Sequence, residues 1–178
     1  MKKQILVLIS LCIIAIGTAQ ASEIHDACKA GDLNRVKQLI AKDPAQMQAK
    51  TPEGKSPLHM ATGWGQKEIV IWLLQNGADI NALNNNGGMP IHVAASQNQP
   101  ECAAILLQSG ADIEALRELG GMTPLAIAVL KDNYQAAEFF LKNGANPKVM
   151  VNGRFPLFMI AKRRASAKMN ALISKYLK

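Results

Sequence analysis

Two serine-histidine pairs stand one helical turn apart, Ser22 with His25 and Ser56 with His59. That spacing would suit a hydroxyl nucleophile and its general base on one face of a helix. His25, Asp26 and Cys28 fall close together, and imidazole, carboxylate and thiolate are the ligand types of a zinc site. A structural zinc ion needs four suitably spaced ligands, however, and nothing else in the chain supplies the remainder. No glycine-rich phosphate loop, His-Glu-x-x-His helix or Gly-x-Ser-x-Gly turn is present. The three histidines are separated by 34 and 33 residues. A group that returns at a fixed interval belongs to a repeating structure rather than to a single reaction centre.

The rest of the chain carries the same interval. From Gly54 it reads Gly-Lys-Ser-Pro-Leu-His-Met-Ala, passes through Gly65 and Glu68-Ile69-Val70, and closes Leu73-Leu74-Gln75-Asn76-Gly77-Ala78-Asp79-Ile80-Asn81-Ala82. The residue before the helix-opening proline or its equivalent recurs at Ser56, Met89, Thr123 and Phe155, spaced by 33, 34 and 32. The closing glycine recurs at Gly77, Gly110 and Gly144, spaced by 33 and 34. This pattern resembles the ankyrin repeat, whose period is about 33 residues. The resemblance is strong in the second and third units, fair in the fourth and weak in the first and fifth. It implies that His25, His59 and His92 hydrogen-bond locally and between repeats, with the serine or threonine of the same tetrad as partner. Met89 removes that hydroxyl beside His92, and Phe155 and Phe158 replace threonine and histidine in the last unit.

The fold class implied is all-α: an ankyrin-repeat solenoid of about five stacked helix-turn-helix units joined by β-turn or finger loops. The units run approximately 22–50, 51–83, 84–116, 117–149 and 150–178. Ser56 is a natural N-cap, Pro57 suits the first helical position, and Gly77 ends the second helix. Leu58, Ala61, Ile69, Val70, Leu73 and Leu74 recur at helical spacing and should face neighbouring units. Ile91, Ala94, Ala103, Ile105, Leu106 and Leu107 take those roles in the third unit. Gly120-Gly121 lengthens its loop by one residue. The terminal units must shield the ends of the stack, and both depart from the pattern, the first carrying Asp43-Pro44 where Gly-Ala-Asp is expected.

Residues 1–21 read as a cleavable signal peptide: Lys2 and Lys3, an apolar run from Ile5 to Gly17, then Ala19-Gln20-Ala21 before Ser22. The run of 13 residues is shorter than the 20 or so a membrane-spanning helix needs. Cys12 follows Leu11 rather than the small residue that precedes a lipid-attachment cysteine. The mature segment, 22–178, is a single ankyrin-repeat domain of 157 residues. A compact chain of that size buries roughly 70% of its unfolded surface and needs no metal or disulfide for stability. Cys28 and Cys102 fall on different helix types two units apart, beyond the limit of about 7 Å between Cα atoms for a disulfide, and read as small buried apolar residues.

A stack of this kind builds an extended surface for holding a partner. The candidate contacts are positions that vary between units. One column, just before the turn between helices, reads Ala30, Trp64, Gln97, Lys131 and Arg163. Trp64 is its outlier: either a partner anchor in the groove or a rim residue packing over Gly63. The finger tips add Leu83, Asn84, Asn85 and Asn86, then Leu116, Arg117, Glu118 and Leu119. Charge is uneven, with nine basic and no acidic residues from Lys142 onward, against nine basic and thirteen acidic from Ser22 to Leu141. A basic final unit suggests docking to an acidic protein or an anionic membrane surface, or else a solvated cap. Nucleic acid fits less well, because base-stacking aromatics are sparse.

The chain therefore reads as a non-enzymatic, monomeric protein-protein interaction or scaffold module without metal or cofactor. It is expected to be exported, to a bacterial periplasm first and to the extracellular space as the alternative, where it would be an effector engaging a host protein. The competing class is a small hydrolase or metal protein using His25, Asp26 and Cys28.

Overall fold

The computed structural model describes residues 23–177. The expected leader, and with it Ser22 and Lys178, lies outside the described residues. Helix α1 covers residues 23–30. It is followed by α2 (Leu33–Lys42), a 3-10 helix (Pro44–Gln48), α3 (Pro57–Gly63), α4 (Lys67–Gln75), α5 (Pro90–Ser96) and α6 (Pro100–Gln108). The chain continues through α7 (Pro124–Leu130), α8 (Tyr134–Lys142), a short hairpin of β1 (Met150–Val151) and β2 (Phe155–Pro156), α9 (Leu157–Arg164) and α10 (Ala167–Tyr176). Successive odd-numbered helices from α3 to α9 pack on one another as an inner layer, and successive even-numbered ones from α2 to α10 as an outer layer. The result is a stack of helix pairs at the spacing the sequence implies.

Local chemistry explains the helix ends. Pro57, Pro90 and Pro124 open the inner helices, where a missing N–H is harmless. The Ser56 and Thr123 hydroxyls cap two of them by accepting from the N–H of His59 and Ala126. The reversal between helices places Gly31, Gly65, Asn98 and Asp132 at positive φ, one register position filled by glycine or by the short polar residues that tolerate it. Apolar positions at helical spacing then form one continuous core from Ile24 and Cys28 to Leu172 and Ile173. Leu58, Ala61, Ile69, Val70 and Leu73 are buried as expected, and Leu74, Ile105 and Leu107 are half-buried at its edge. In the first unit the 3-10 helix, capped by Asp43, substitutes for the absent Gly-Ala-Asp closure and turns Met47 into the core.

Polar bonds tie each histidine-bearing inner helix to the chain around the finger that follows it. His59 Nδ1 accepts the Ser56 N–H at 3.2 Å, and its Nε2–H donates to the Gly88 carbonyl at 2.9 Å. His92 keeps the bond from the Met89 N–H (3.2 Å) but donates to the Ala115 carbonyl (2.9 Å), which lies before the following finger rather than after it, so both ring nitrogens stay engaged despite the loss of the hydroxyl. His25 reaches the Ala49 carbonyl at 3.1 Å. A second ladder runs where the outer helices begin. Gln66 donates to the Lys29 carbonyl at 3.0 Å, Asn133 to the Ala95 carbonyl at 2.8 Å, and the Ser166 hydroxyl to Asp132 at 2.9 Å.

Each finger is closed by a backbone bond: Thr51 N–H to Lys55, Asn84 N–H to Gly88, and Arg117 N–H to Met122. The third closure spans one residue more than the others, because Gly120 and Gly121 extend the turn in the left-handed region. Neighbouring fingers touch through their backbones, Asn85 N–H donating to the Glu53 carbonyl and Glu118 N–H to the Gly87 carbonyl, both at 3.0 Å. Gly87 has φ +64, and a Cβ there would lie 2.5 Å from Glu118 Cβ. Gly87→Ala should therefore destabilise the fold by roughly 2 kcal/mol, from backbone strain and the forced separation of two fingers, read as a fall in melting temperature. Thr62 is fully buried and its hydroxyl has no partner, whereas Cys28, Ala95 and Val129 fill the same register position with apolar side chains. Thr62→Val should stabilise by about 1 kcal/mol, raising the melting temperature by about 2–4 °C.

Candidate functional site

The inner helices and the fingers enclose a groove of about 880 Å³. Its floor is set by register. Met60, Val93 and Ile127 occupy one position on α3, α5 and α7, spaced by 33 and 34 residues, and all three line it. Lys55 and Met122 from the fingers border it, together with Asn84, Asn86 and Arg117. Trp64, Gln97 and Lys131, from the column just before the helix reversal, close the opposite side. Lys55, Arg117 and Lys131 bring positive charge to this lining, which contains no aspartate or glutamate.

Trp64 is 53% exposed, as the C-cap residue just beyond its inner helix rather than a member of the core. The Lys29 ammonium stands 4.6 Å from its ring centroid, a cation–π contact on the indole. Gln97, one unit along, and Lys131, two units along, are exposed in the same column, and Asn86 is exposed at the finger side. The remaining candidates lie elsewhere. Arg163 is exposed on α9, beyond the groove. Leu83 is half-buried and its carbonyl accepts from Lys50 Nζ at 3.1 Å. The Asn85 side-chain amide is engaged by the Pro52 carbonyl at 2.8 Å. Leu116 and Leu119 are 60% and 57% exposed on the third finger, where Glu118 also points to solvent. A second, shallower groove of about 480 Å³ lies in the outer layer between α4 and α6, lined by Ile71, Leu74 and Ile105.

The residues that suggested chemistry are placed as structural groups. The Ser56 hydroxyl lies 2.9 Å from His59 Nδ1, yet both residues are buried and both are engaged in the helix cap. His25 and Cys28 are buried while Asp26 is exposed, so the trio does not converge. Among the described residues no group of three or more histidine, cysteine, aspartate or glutamate side chains could share a metal ion. Burial pushes the thiols of Cys28 and Cys102 up to about 12 and about 11, and both are free. Such thiols stay protonated and unreactive at neutral pH.

Comparison with known families matches a model described as ankyrin repeats, in three copies, to residues 24–117, and a single ankyrin repeat to residues 120–150. The chain belongs to the ankyrin-repeat family. It is similar to an Arabidopsis thaliana protein named E3 ubiquitin-protein ligase XBAT33, with 38% identity over 68 residues. It is likewise similar to human ankyrin repeat domain-containing protein 35, with 38% identity over 62 residues. The matched segments cover 38% and 35% of this chain, but only 13% and 6% of those relatives. What is shared is the repeat architecture, and in this ankyrin chain the groove is built from that architecture.

The histidine bonds carry a pH signature. Burial, outweighing the bond to the Gly88 carbonyl, holds His59 down to about 4, and the same cause lowers His92. The unfolded chain binds these protons near pH 6.5, so stability is complete above that value and is lost as pH falls toward about 4. For His59 alone the loss amounts to roughly 3 kcal/mol across the window. An NMR titration of the His59 imidazole in the folded protein should show a midpoint near 4. A midpoint at the ordinary histidine value would remove this account.

Proposed function

We propose that this ankyrin-repeat protein is an exported adaptor that holds an acidic segment of a protein partner in the groove between its inner helices and fingers. Ankyrin repeats make the chain a protein-protein interaction module. The finer reading is carried by the groove lining. An apolar floor of Met60, Val93 and Ile127 lies between cations, with no carboxylate among the lining residues and with the exposed face of Trp64 at the edge. This positive lining is set into the part of the chain, Ser22 to Leu141, whose acids outnumber its bases thirteen to nine. None of those acids lines the groove, so a carboxylate-bearing segment meets attraction there without a competing negative charge.

The basic, apolar and small-residue order of residues 1–21 supports an exported location, and we place the partner in the cell envelope on that ground. Fractionation of the native organism tests location, since recovery of the mature chain in the cytoplasm would exclude it. Within the groove Trp64 is the proposed anchor, because large amphipathic side chains dominate interface energies.

Trp64→Ala should weaken capture of the partner from envelope extract by about thirtyfold, equivalent to roughly 2 kcal/mol. Its melting temperature should fall by no more than about 2–4 °C, since an exposed cation–π contact contributes about 0.5–1 kcal/mol. A large fall in melting temperature with intact capture would identify Trp64 as structural and sink the assignment.

A further inference from the structure

The last unit departs from the other four in what it leaves uncovered. Met150, Phe155, Phe158 and Met159 are 45%, 58%, 41% and 53% exposed, four large apolar side chains within ten residues of the β1–β2 hairpin and α9. Phe158 stands at the register position of His59, His92 and Ala126, each buried by the unit that follows. At the opposite end no large apolar side chain between residues 23 and 63 is exposed. The two ends are therefore chemically unlike: one shielded by polar residues, the other apolar.

Positive charge surrounds the apolar end. Lys148, Arg154, Lys162, Arg163 and Arg164 are all exposed, and none makes an ion pair among the described residues. No acidic residue occurs from Lys142 onward. Two identical ends would repel each other, which argues against a symmetric dimer on this face. The polar opposite end offers no apolar surface to a second copy stacking head to tail. An anionic occupant remains.

We infer that the final unit is a peripheral membrane-docking surface, inserting Phe155, Phe158 and Met159 among the headgroups of an anionic bilayer while the surrounding cations meet lipid phosphates. Exposed apolar side chains beside a cluster of lysine and arginine give the two forces that hold a protein on such a surface. The apolar side chains favour lipid over an acidic protein segment, which would satisfy the charges but leave Phe155, Phe158 and Met159 in water. Neither groove described above extends past Lys131, so this surface is separate from the peptide groove.

Sedimentation of the purified protein with vesicles of phosphatidylcholine alone, and of phosphatidylcholine mixed with phosphatidylglycerol, tests the inference. The protein should sediment with the mixed vesicles only, and added salt should release it. A K162Q/R163Q/R164Q variant and an F155S/F158S variant should each bind at least about tenfold more weakly, with melting temperatures near wild type because the altered residues are exposed. Trp64→Ala should bind vesicles as wild type does, so failure of the peptide-groove reading leaves this result untouched. Equal sedimentation with both vesicle types, no sedimentation with either, or binding to soluble poly-glutamate without binding to vesicles would each overturn the proposal.

Discussion

A two-helix unit of about 33 residues cannot bury both of its faces by itself, and every other feature of this protein follows from that constraint. The bond from His59 Nε2–H to the Gly88 carbonyl expresses it in one contact: a side chain on one inner helix holds the finger that leads into the next. His92 holds the Ala115 carbonyl, just ahead of the finger that follows it, and the amide ladder of Gln66 and Asn133 ties the outer helices on the other side. Stability in such a molecule is a sum over neighbouring interfaces rather than the property of one central core. The groove is a by-product of this stacking, since helices fixed side by side with projecting fingers leave a concave strip between them.

The same constraint decides what the reactive side chains are for. A serine hydroxyl and an imidazole stand 2.9 Å apart at Ser56 and His59, a distance a hydrolase would use. Here the pair is buried at a helix start, with Nδ1 engaged by a backbone N–H and Nε2 by a carbonyl. Both ring nitrogens are already occupied in the neutral tautomer, and burial keeps the imidazole in that form. The geometry of catalysis is thus present without a substrate-facing atom.

Much of the fold was legible because period is a property of sequence. Ser56-Pro57, the glycines that close α4, α6 and α8 and the Gly120-Gly121 insertion all announce local backbone conformations that need no tertiary information. The groove was less legible. Trp64 stood out as an unusual residue in a variable column, but Met60, Val93 and Ile127 are ordinary apolar residues whose shared register matters only once the helices are side by side. Lys29 over Trp64 and the Asn85 amide on the Pro52 carbonyl join residues more than 30 positions apart and carried no signal of their own. The apolar patch of the last unit was masked for a related reason: Phe155, Phe158 and Met159 are residue types that read as core, and only the folded arrangement shows them exposed.

A repeated scaffold has an inherent ambiguity, since a long ligand could shift along it by one unit and find nearly the same environment. The third finger interrupts that uniformity. Its closing bond, from Arg117 to Met122, spans one more residue than the closures of the two fingers before it. Its tip is therefore out of step with theirs, and Leu116 and Leu119 project there at 60% and 57% exposure. A segment lying across the fingers meets a step at this point and at no equivalent place in the two preceding units. The inserted residue is an index mark on an otherwise uniform ruler, one that would give a chain bound across the fingers a single reading frame instead of several.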